Sequence, residues 1–300
     1  MDIQTNRYAN DWNSYSAEWE RRYGTKYNHL GDEWCDDGTA AREWEQRLFA
    51  HSFAPWLSPE ATVVEIGPGG GKWSVKIAPR VKSLVCFDVA EAMLKRTEAR
   101  IEQEGLENVS FVLGNGLDMS AIPSNSVDVV FSYDVFVHIA LEDTVAYVAE
   151  IARILKDGGI VILHHAINDV RPAWDRIESH NDWYRKGNTL GQYYYHSRES
   201  LQQMYERYGL QVHSVLVDYC MAVITARKPA DSVVPRLEQA LRLAAAATDE
   251  RELEEATRTI SALGRDLSER LALMAPALRS TLPGHERYQM VQQIRKLVRG

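Results

Sequence analysis

Apolar and polar positions alternate in blocks along the middle of the chain. Short apolar runs occupy Thr62–Ile66, Leu84–Asp88, Val109–Leu113, Val127–Ser132 and Ile160–His164. Between them, apolar residues recur at the three-to-four spacing of an amphipathic helix, for example in Ala90–Gln103 and Leu141–Leu155. Strands that alternate with helices indicate βαβ units. The pattern therefore predicts an α/β fold with a parallel sheet within residues 40–228.

The end of this region departs from the regular alternation. Lys156-Asp157-Gly158-Gly159 predicts the end of a helix followed by the start of a strand. Ser197–Tyr208 has helical spacing. The apolar runs Gln211–Asp218 and Cys220–Ala226 follow with almost no gap, which predicts a closing hairpin.

The first apolar run ends in an acidic residue and a glycine-rich turn, Glu65-Ile66-Gly67-Pro68-Gly69-Gly70-Gly71. Glycine permits positive φ and close approach of a ligand, so the turn indicates a nucleotide-like cofactor; a turn that serves only strand-to-helix packing is the alternative. A dinucleotide fingerprint needs glycine where Lys72 stands. A phosphate-binding loop needs Gly at Ile66 and Ser or Thr at Trp73.

The remaining pattern is acidic-x-Gly-x-Gly-x-Gly, which Glu65, Gly67, Gly69 and Gly71 fit at every fixed position. It resembles the first motif of the class I S-adenosylmethionine (SAM) methyltransferases. The resemblance covers roughly residues 40–228. It implies a Rossmann-like, doubly wound sheet of seven strands closed by an antiparallel hairpin. It also implies SAM as cofactor, with Glu65 near the cationic groups of SAM.

The resemblance continues at the ends of the later strands. It implies that Asp88 accepts hydrogen bonds from the ribose hydroxyls, with Val89 beside it and Met93 against the adenine. Many members of the superfamily have Asp after the third strand, whereas this chain has Asn115-Gly116-Leu117-Asp118. Asn115 is expected to contact the adenine edge, and Asp118 is the alternative residue for this role. Ser132 and Tyr133 are expected beside the methionine part of SAM.

Three histidines follow the fourth and fifth strands, where parallel sheets bind ligands. An imidazole is suited to deprotonate an acceptor hydroxyl. Strand alternation points His164 and His165 to opposite sides of the sheet. The expected base is His165, with His138 second; the alternative for His138 is a purely structural hydrogen bond. No third metal ligand lies at a spacing typical of a metal site, so no metal is expected.

Aromatic residues flank this region. Trp12, Tyr15, Trp19 and Tyr23 share one helical face within residues 1–39, which predicts a packing stripe or a lid. The insertion 171–196 is expected to shape the acceptor pocket or to form a surface subdomain. The candidate acceptor contacts are Tyr15, Trp183, Arg185, Tyr194 and Tyr195.

This aromatic and polar mixture favours O-methylation of a sugar or glycan end. N-methylation of an amino sugar or another small metabolite is the alternative, and a SAM-binding scaffold without catalysis is a further one.

Composition and charge limit the cellular compartment and the classes of binding partner. The net charge of −8 argues against a nucleic-acid partner. Three widely spaced cysteines, no apolar run long enough for a membrane and no leader pattern favour the reducing cytoplasm. Within residues 229–300, an apolar seam across 250–275 predicts helices that self-associate, dock to a partner or pack on the body.

Overall fold

The computed structural model describes residues 7–35, 39–116, 119–187 and 191–230. Eight strands form one sheet. They are β1 (Thr62–Ile66), β2 (Ser83–Asp88), β3 (Val109–Leu113), β4 (Val127–Ser132), β5 (Leu155–Ile167), β6 (Tyr195–His196), β7 (Gln211–Asp218) and β8 (Met221–Arg227). Seven of them lie in the order β3-β2-β1-β4-β5-β8-β7, and the two-residue β6 pairs with β5.

The five central strands are parallel, and β8 joins β5 in the antiparallel direction. Strands β7 and β8 form the predicted hairpin. The Rossmann-like fold class predicted from the sequence is confirmed. The strand order reverses between β1 and β4: β2 and β3 lie on one side of this pair, and β5, β8 and β7 lie on the other. Such a switch point opens a crevice at the carboxyl ends of the two strands.

The helices are α1 (Arg7–Tyr23), α2 (Thr39–Leu48), α3 (Ser74–Ile77), α4 (Glu91–Gln103), α5 (Leu141–Ile154), α6 (Arg171–Arg185) and α7 (Arg198–Arg207). One face of the sheet packs on α2, α3 and α4 through a cluster around Phe131 and Ile162. The other face packs on α5 and α7 through a cluster around Val130 and Leu163. Two covered faces explain why the central strands are almost continuously apolar.

Strand β5 begins earlier than the sequence predicts. Residues 156–159, expected to end a helix, already belong to the strand. Gly158 adopts a φ of +83°, and the pairing with β4 shifts register between Val127 and Val129. The backbone N–H of Gly158 donates to the carbonyl of Lys228 over 2.8 Å, and Lys228 N–H donates back to Gly159 over 2.9 Å. The two glycines thus form an irregular strand start.

Some sequence predictions lie outside the described residues: the apolar seam over 250–275 and the rest of 231–300, Leu117, Asp118 and the side chain of Trp183. Within the described ranges, no helix is long and apolar enough to cross a bilayer. The same part of the chain contains no group of three or more His, Cys, Asp or Glu side chains arranged to hold a metal ion.

Candidate active site

A cavity lies at the switch point, where β1 and β4 diverge. Its floor is built from residues that follow three strands: Ile66–Gly70 after β1, Phe87–Val89 after β2 and Tyr133–Val135 after β4. The sequence-predicted residues Gly67, Gly69, Asp88, Val89, Met93 and Tyr133 all line it. The carboxyl ends of neighbouring parallel strands therefore bring these residues together.

The glycine turn is shaped by close contacts. Gly67 has a φ of +69°, and a Cβ there would lie 2.3 Å from the side chain of Val135. A Cβ on Gly70 would lie 2.1 Å from the backbone oxygen of Leu30. The absence of side chains lets the loop at residues 30–31 and the end of β4 close over the turn.

Asp88 presents its carboxylate to the cavity at the end of β2. Oδ1 accepts a hydrogen bond of 2.8 Å from the backbone N–H of Ala90. Burial raises the pKa of Asp88 to about 7, against the lowering effect of the N–H groups of Ala90, Val89 and Gly69. A carboxylate held beside an apolar wall is suited to accept hydrogen bonds from a diol.

Glu65 lies elsewhere than expected, because it is buried below the turn and does not line the cavity. Its Oε2 accepts a hydrogen bond of 2.5 Å from Ser74, the first residue of α3. Burial raises the pKa of Glu65 to about 7, although the Ser74 bond opposes the shift. Glu65 thus positions the turn by tying β1 to the following helix.

Four other predicted cofactor residues of the described ranges lie off the cavity wall: Gly71, Asn115, Gly116 and Ser132. Asn115 is exposed and Gly116 is buried after β3, and neither lines the cavity. The Ser132 hydroxyl donates over 2.7 Å to the backbone oxygen of Ile66, which ties the ends of β4 and β1 together.

His138 lies in the cavity wall in a short helical turn after β4. Its Nδ1 is 2.9 Å from the backbone oxygen of Gln192. A carbonyl only accepts, so Nδ1 carries the proton and Nε2 is left as an acceptor. The rings of Trp12 and Tyr193 contact the imidazole edge-on, with centroids 5.1 and 5.0 Å away. Burial lowers the pKa of His138.

The structure places His165 in the packing layer. Its ring is fully buried against Phe136 and Tyr205, and Nε2 lies 2.9 Å from the Tyr205 hydroxyl. Burial pushes the pKa of His165 well below its usual value. His165 does not line the cavity, so its imidazole has no access to an acceptor there.

His164 points to the opposite face of the sheet, as strand alternation requires. Its Nδ1 is 2.9 Å from Oδ1 of Asp134, and its ring stacks on Tyr133 at 4.2 Å. Burial alone would raise the pKa of Asp134, but the bond and charge of His164, with smaller effects from His138 and Lys72, lower it. Asp134 has a φ of +58°, a conformation that concentrates at functional sites.

Helix α1 covers the cavity. Tyr8, Trp12 and Tyr15 line it, while Trp19 packs on Met93 and Leu30. The aromatic stripe is thus a lid at one end and a packing surface at the other. Burial and the neighbouring Glu33 carboxylate raise the pKa of Tyr15 to about 12. Tyr15 therefore stays a neutral hydrogen-bond donor.

Among the described residues of the insertion between β5 and α7, Tyr193 lines the cavity. The predicted acceptor contacts Tyr194 and Tyr195 are half-buried beside it, and Arg185 is exposed at the end of α6; none of them lines the cavity. The backbone N–H of Tyr194 donates over 2.8 Å to the oxygen of Val137, which docks the insertion on β4.

The sequence prediction missed several residues of the cavity wall. Asp134 is the second residue after β4, and its position just beyond a parallel strand was the available signal. Trp12 belonged to the recognised aromatic stripe. Other missed residues with polar or aromatic side chains are Tyr8, Lys72, Trp73, Phe87, Tyr147 and Tyr193.

Comparisons with known proteins agree with this geometry. Residues 63–159 match the family model of a methyltransferase domain. The chain is 26% identical over 120 residues to phosphoethanolamine N-methyltransferase 1 of Caenorhabditis elegans (40% of this chain, 25% of that protein). It is 28% identical over 123 residues to the uncharacterized methyltransferase YcgJ of Bacillus subtilis (40% and 47%). The chain thus spans at most about half the length of these curated relatives.

A solved Haloferax volcanii chain, in complex with the Trm112 methyltransferase activator, has a similar fold. It aligns with a TM-score of 0.54 at 18% identity, over 73% of this chain and 97% of its own length. Fold, glycine turn and family model together define a SAM-binding methyltransferase domain. These matches place residues 63–159 in a methyltransferase domain and support the class I SAM-dependent methyltransferase superfamily.

The residues of the cavity fit SAM. The glycine turn leaves backbone exposed at Gly69, where an added Cβ would meet only Leu30, at 3.7 Å. Asp88 offers a carboxylate for the ribose, and the apolar side chains of Val89 and Met93 adjoin it. SAM, when bound, supplies an electrophilic methyl group on a sulfonium.

Proposed function

We propose that this protein methylates a hydroxyl group of a small polar acceptor, a sugar or a glycan end, with His138 as general base. The observation that carries the proposal is the hydrogen bond from His138 Nδ1–H to the Gln192 oxygen. It fixes the neutral tautomer that leaves Nε2 unprotonated. A hydroxyl nucleophile must lose its proton as the new C–O bond forms, and Nε2 is the group that accepts it.

The pKa of His138 favours this role. Burial keeps the imidazole neutral at physiological pH, so the base is in its active form without a preceding deprotonation. Trp12 and Tyr193 hold the ring from two sides. Fixed geometry is what a base needs in order to act on an oriented acceptor.

The acceptor class is supported by the wall around His138. The aromatic rings of Trp12, Tyr15 and Tyr193 offer apolar faces for a saturated ring, and Asp134 offers a carboxylate for its hydroxyls. Aromatic faces combined with hydrogen-bond acceptors are suited to a sugar.

The test is the variant His138→Asn. An Asn side chain keeps a donor for the Gln192 oxygen but has no basic nitrogen. We expect kcat to fall by about 10²- to 10⁴-fold, with the affinity for S-adenosylhomocysteine unchanged. Release of S-adenosylhomocysteine with a panel of sugars is the assay, and His213→Asn, at the exposed edge of β7, is the matched control.

The pH profile gives a second readout. The active form of His138 is neutral, so kcat/KM of the wild type rises with pH, with an inflection below the usual histidine pKa of about 6.5. His138→Asn removes this inflection. Full turnover of the variant with an unchanged profile contradicts the base assignment.

N-methylation of an amine is the second candidate, favoured by the ionised Asp134 on the cavity wall. A neutral amine is already nucleophilic and needs no base. Retained turnover of His138→Asn together with an N-methylated product supports this alternative. Absence of turnover by the wild type with every acceptor, with S-adenosylhomocysteine still bound, supports a SAM-binding scaffold instead.

A further inference from the structure

A second cavity lies on the face of the sheet that packs on α2. Its walls include side chains of three adjacent strands: His164 on β5, Val223 and Met221 on β8, and Leu216 and Asp218 on β7. The pairings His164–Val223 and Leu216–Val223 place these side chains on one face. Trp44 of α2, Tyr133 and Asp134 complete the wall.

This cavity offers several hydrogen-bond acceptors. Asp134 and Asp218 contribute carboxylates. His164 Nδ1 lies 2.9 Å from a carboxylate oxygen of Asp134, so this nitrogen carries the proton; the backbone N–H of Asp134 is farther away, at 3.4 Å. The His164 side chain is only 6% exposed, and its Nε2 has no hydrogen-bond partner among the described residues. In the tautomer with the proton on Nδ1, Nε2 is a third acceptor.

Nothing in the cavity wall complements an anion. No Lys or Arg lines it within the described part of the chain, and no described side chain pairs with the Asp218 carboxylate. Trp44 and Tyr133 add aromatic rings, which attract cations. Two carboxylates, an imidazole nitrogen and aromatic rings, with no lysine or arginine in the described wall, together match a protonated amine, which offers N–H donors and no acceptor.

We propose that this second cavity binds the protonated amino group of the acceptor, so that the acceptor is an amino sugar methylated at a hydroxyl. The inference rests on the proposed function. Tyr133 and Asp134 belong to the walls of both cavities, so the second cavity adjoins the first. A protonated amine has no free electron pair, so it is bound without being methylated.

Binding of matched sugar pairs tests the proposal. Glucosamine, galactosamine and mannosamine are compared with glucose, galactose and mannose on the protein loaded with S-adenosylhomocysteine, by calorimetry or saturation-transfer NMR. We expect at least one amino sugar to bind about tenfold more tightly than its neutral counterpart, as a charge-assisted hydrogen bond provides. Equal affinities within all three pairs overturn the proposal.

The variant Asp218→Asn locates the site. Asp218 is exposed at the end of β7, so its removal spares the core. We expect it to abolish the preference for the amino sugar and to leave the affinities for the neutral sugar and S-adenosylhomocysteine unchanged. Glu98→Gln, exposed on α4 and part of neither cavity, removes one negative charge as the control. An unchanged preference in Asp218→Asn overturns the proposal.

The inference and the proposed function fail in different ways. Methylation of amino and neutral sugars with equal kcat/KM refutes the amine site and keeps the O-methyltransferase. Selective binding of amino sugars with no O-methylated product keeps the amine site and refutes the proposed function.

Discussion

Glu65 and Asp88 lie on neighbouring strands and are both buried, but the two carboxyl groups have different roles. Burial raises the pKa values of Glu65 and Asp88 to about 7. Glu65 uses its oxygen to hold Ser74, whereas Asp88 faces the cavity. A carboxylate that titrates near neutrality and faces a ligand makes the affinity for that ligand depend on pH.

We therefore expect the affinity for S-adenosylhomocysteine to rise about tenfold between pH 6 and pH 8. Asp88, with a pKa of about 7, is mostly protonated at pH 6, and only its ionised form accepts two charge-assisted hydrogen bonds from a ribose. Asp88→Asn is expected to bind about tenfold to a hundredfold more weakly and to lose this pH dependence. Calorimetry at the two pH values measures both effects.

The matched control for this prediction is Glu65→Gln. Its side chain keeps the shape and an acceptor for Ser74, and it does not reach the cavity. We expect its affinity and its pH dependence to stay close to those of the wild type. If Asp88→Asn retained the full pH dependence while Glu65→Gln lost it, the roles of the two carboxyl groups would be exchanged.

At the residue scale, the sequence predicts side chains that follow a strand directly. Asp88, Val89 and Tyr133 reach the cavity because a strand end fixes their place. The histidine pair on β5 shows the limit. Alternation predicts that His164 and His165 point apart, but only packing against Tyr205 of α7 decides which of the two lies on the α7 side of the sheet. A single chain has no local signal for that choice.

At the element scale, α1 is held as a lid at two points, near its start and at its middle. Tyr8 donates to Oδ2 of Asp143 over 2.6 Å and accepts from the N–H of Ala140 over 3.0 Å, at the start of α5. Arg96 of α4 donates to the hydroxyl and the backbone oxygen of Ser16 over 2.6 and 2.8 Å. Trp12 and Tyr15 lie between these anchors, so both anchors fix the cavity roof.

We expect Tyr8→Phe to loosen the first turns of α1. The loss of two hydrogen bonds removes about 1–2 kcal/mol, so the amides there should exchange about five- to thirtyfold faster. Hydrogen exchange read by mass spectrometry measures the change, and the affinity for S-adenosylhomocysteine should fall with it. Tyr219→Phe, in the exposed turn between β7 and β8, is the control. Unchanged exchange across α1 would show that this anchor does not hold the lid.

Sequence patterns predict most of the elements because the central strands β1, β4 and β5 are covered on both faces. The predicted bounds of β1, β3 and β4 agree with the structure. The start of β5 was predicted wrongly, because Lys156-Asp157-Gly158-Gly159 has the composition of a helix end. Long-range bonds to Lys228, 69 residues or more away along the chain, keep those glycines in the strand. A local pattern contains no information about such a partner.

At the scale of the whole molecule, His165 joins three parts of one packing layer. Its ring lies on β5, contacts Phe136 after β4 and hydrogen-bonds Tyr205 of α7. Burial keeps it neutral, with a pKa well below 6.5. The unfolded chain protonates this histidine below about pH 6.5, whereas the folded protein does not. The folded state therefore loses stability as the pH falls through that value.

The variant His165→Gln isolates this effect. Its amide can still bond Tyr205 but does not titrate. We expect the free energy of unfolding of the wild type, minus that of the variant, to fall by about 1.4 kcal/mol per pH unit below pH 6.5. Glu65 and Asp88 act in the opposite direction, because their raised pKa values favour the folded state at lower pH. They are present in both proteins and cancel in the difference. Urea unfolding at pH 7.5 and 5.5 measures the difference between the two proteins, with exposed His213→Gln as control.

If the difference between the two free energies did not change with pH, His165 would take up its proton without unfolding the layer that α7 and β5 share.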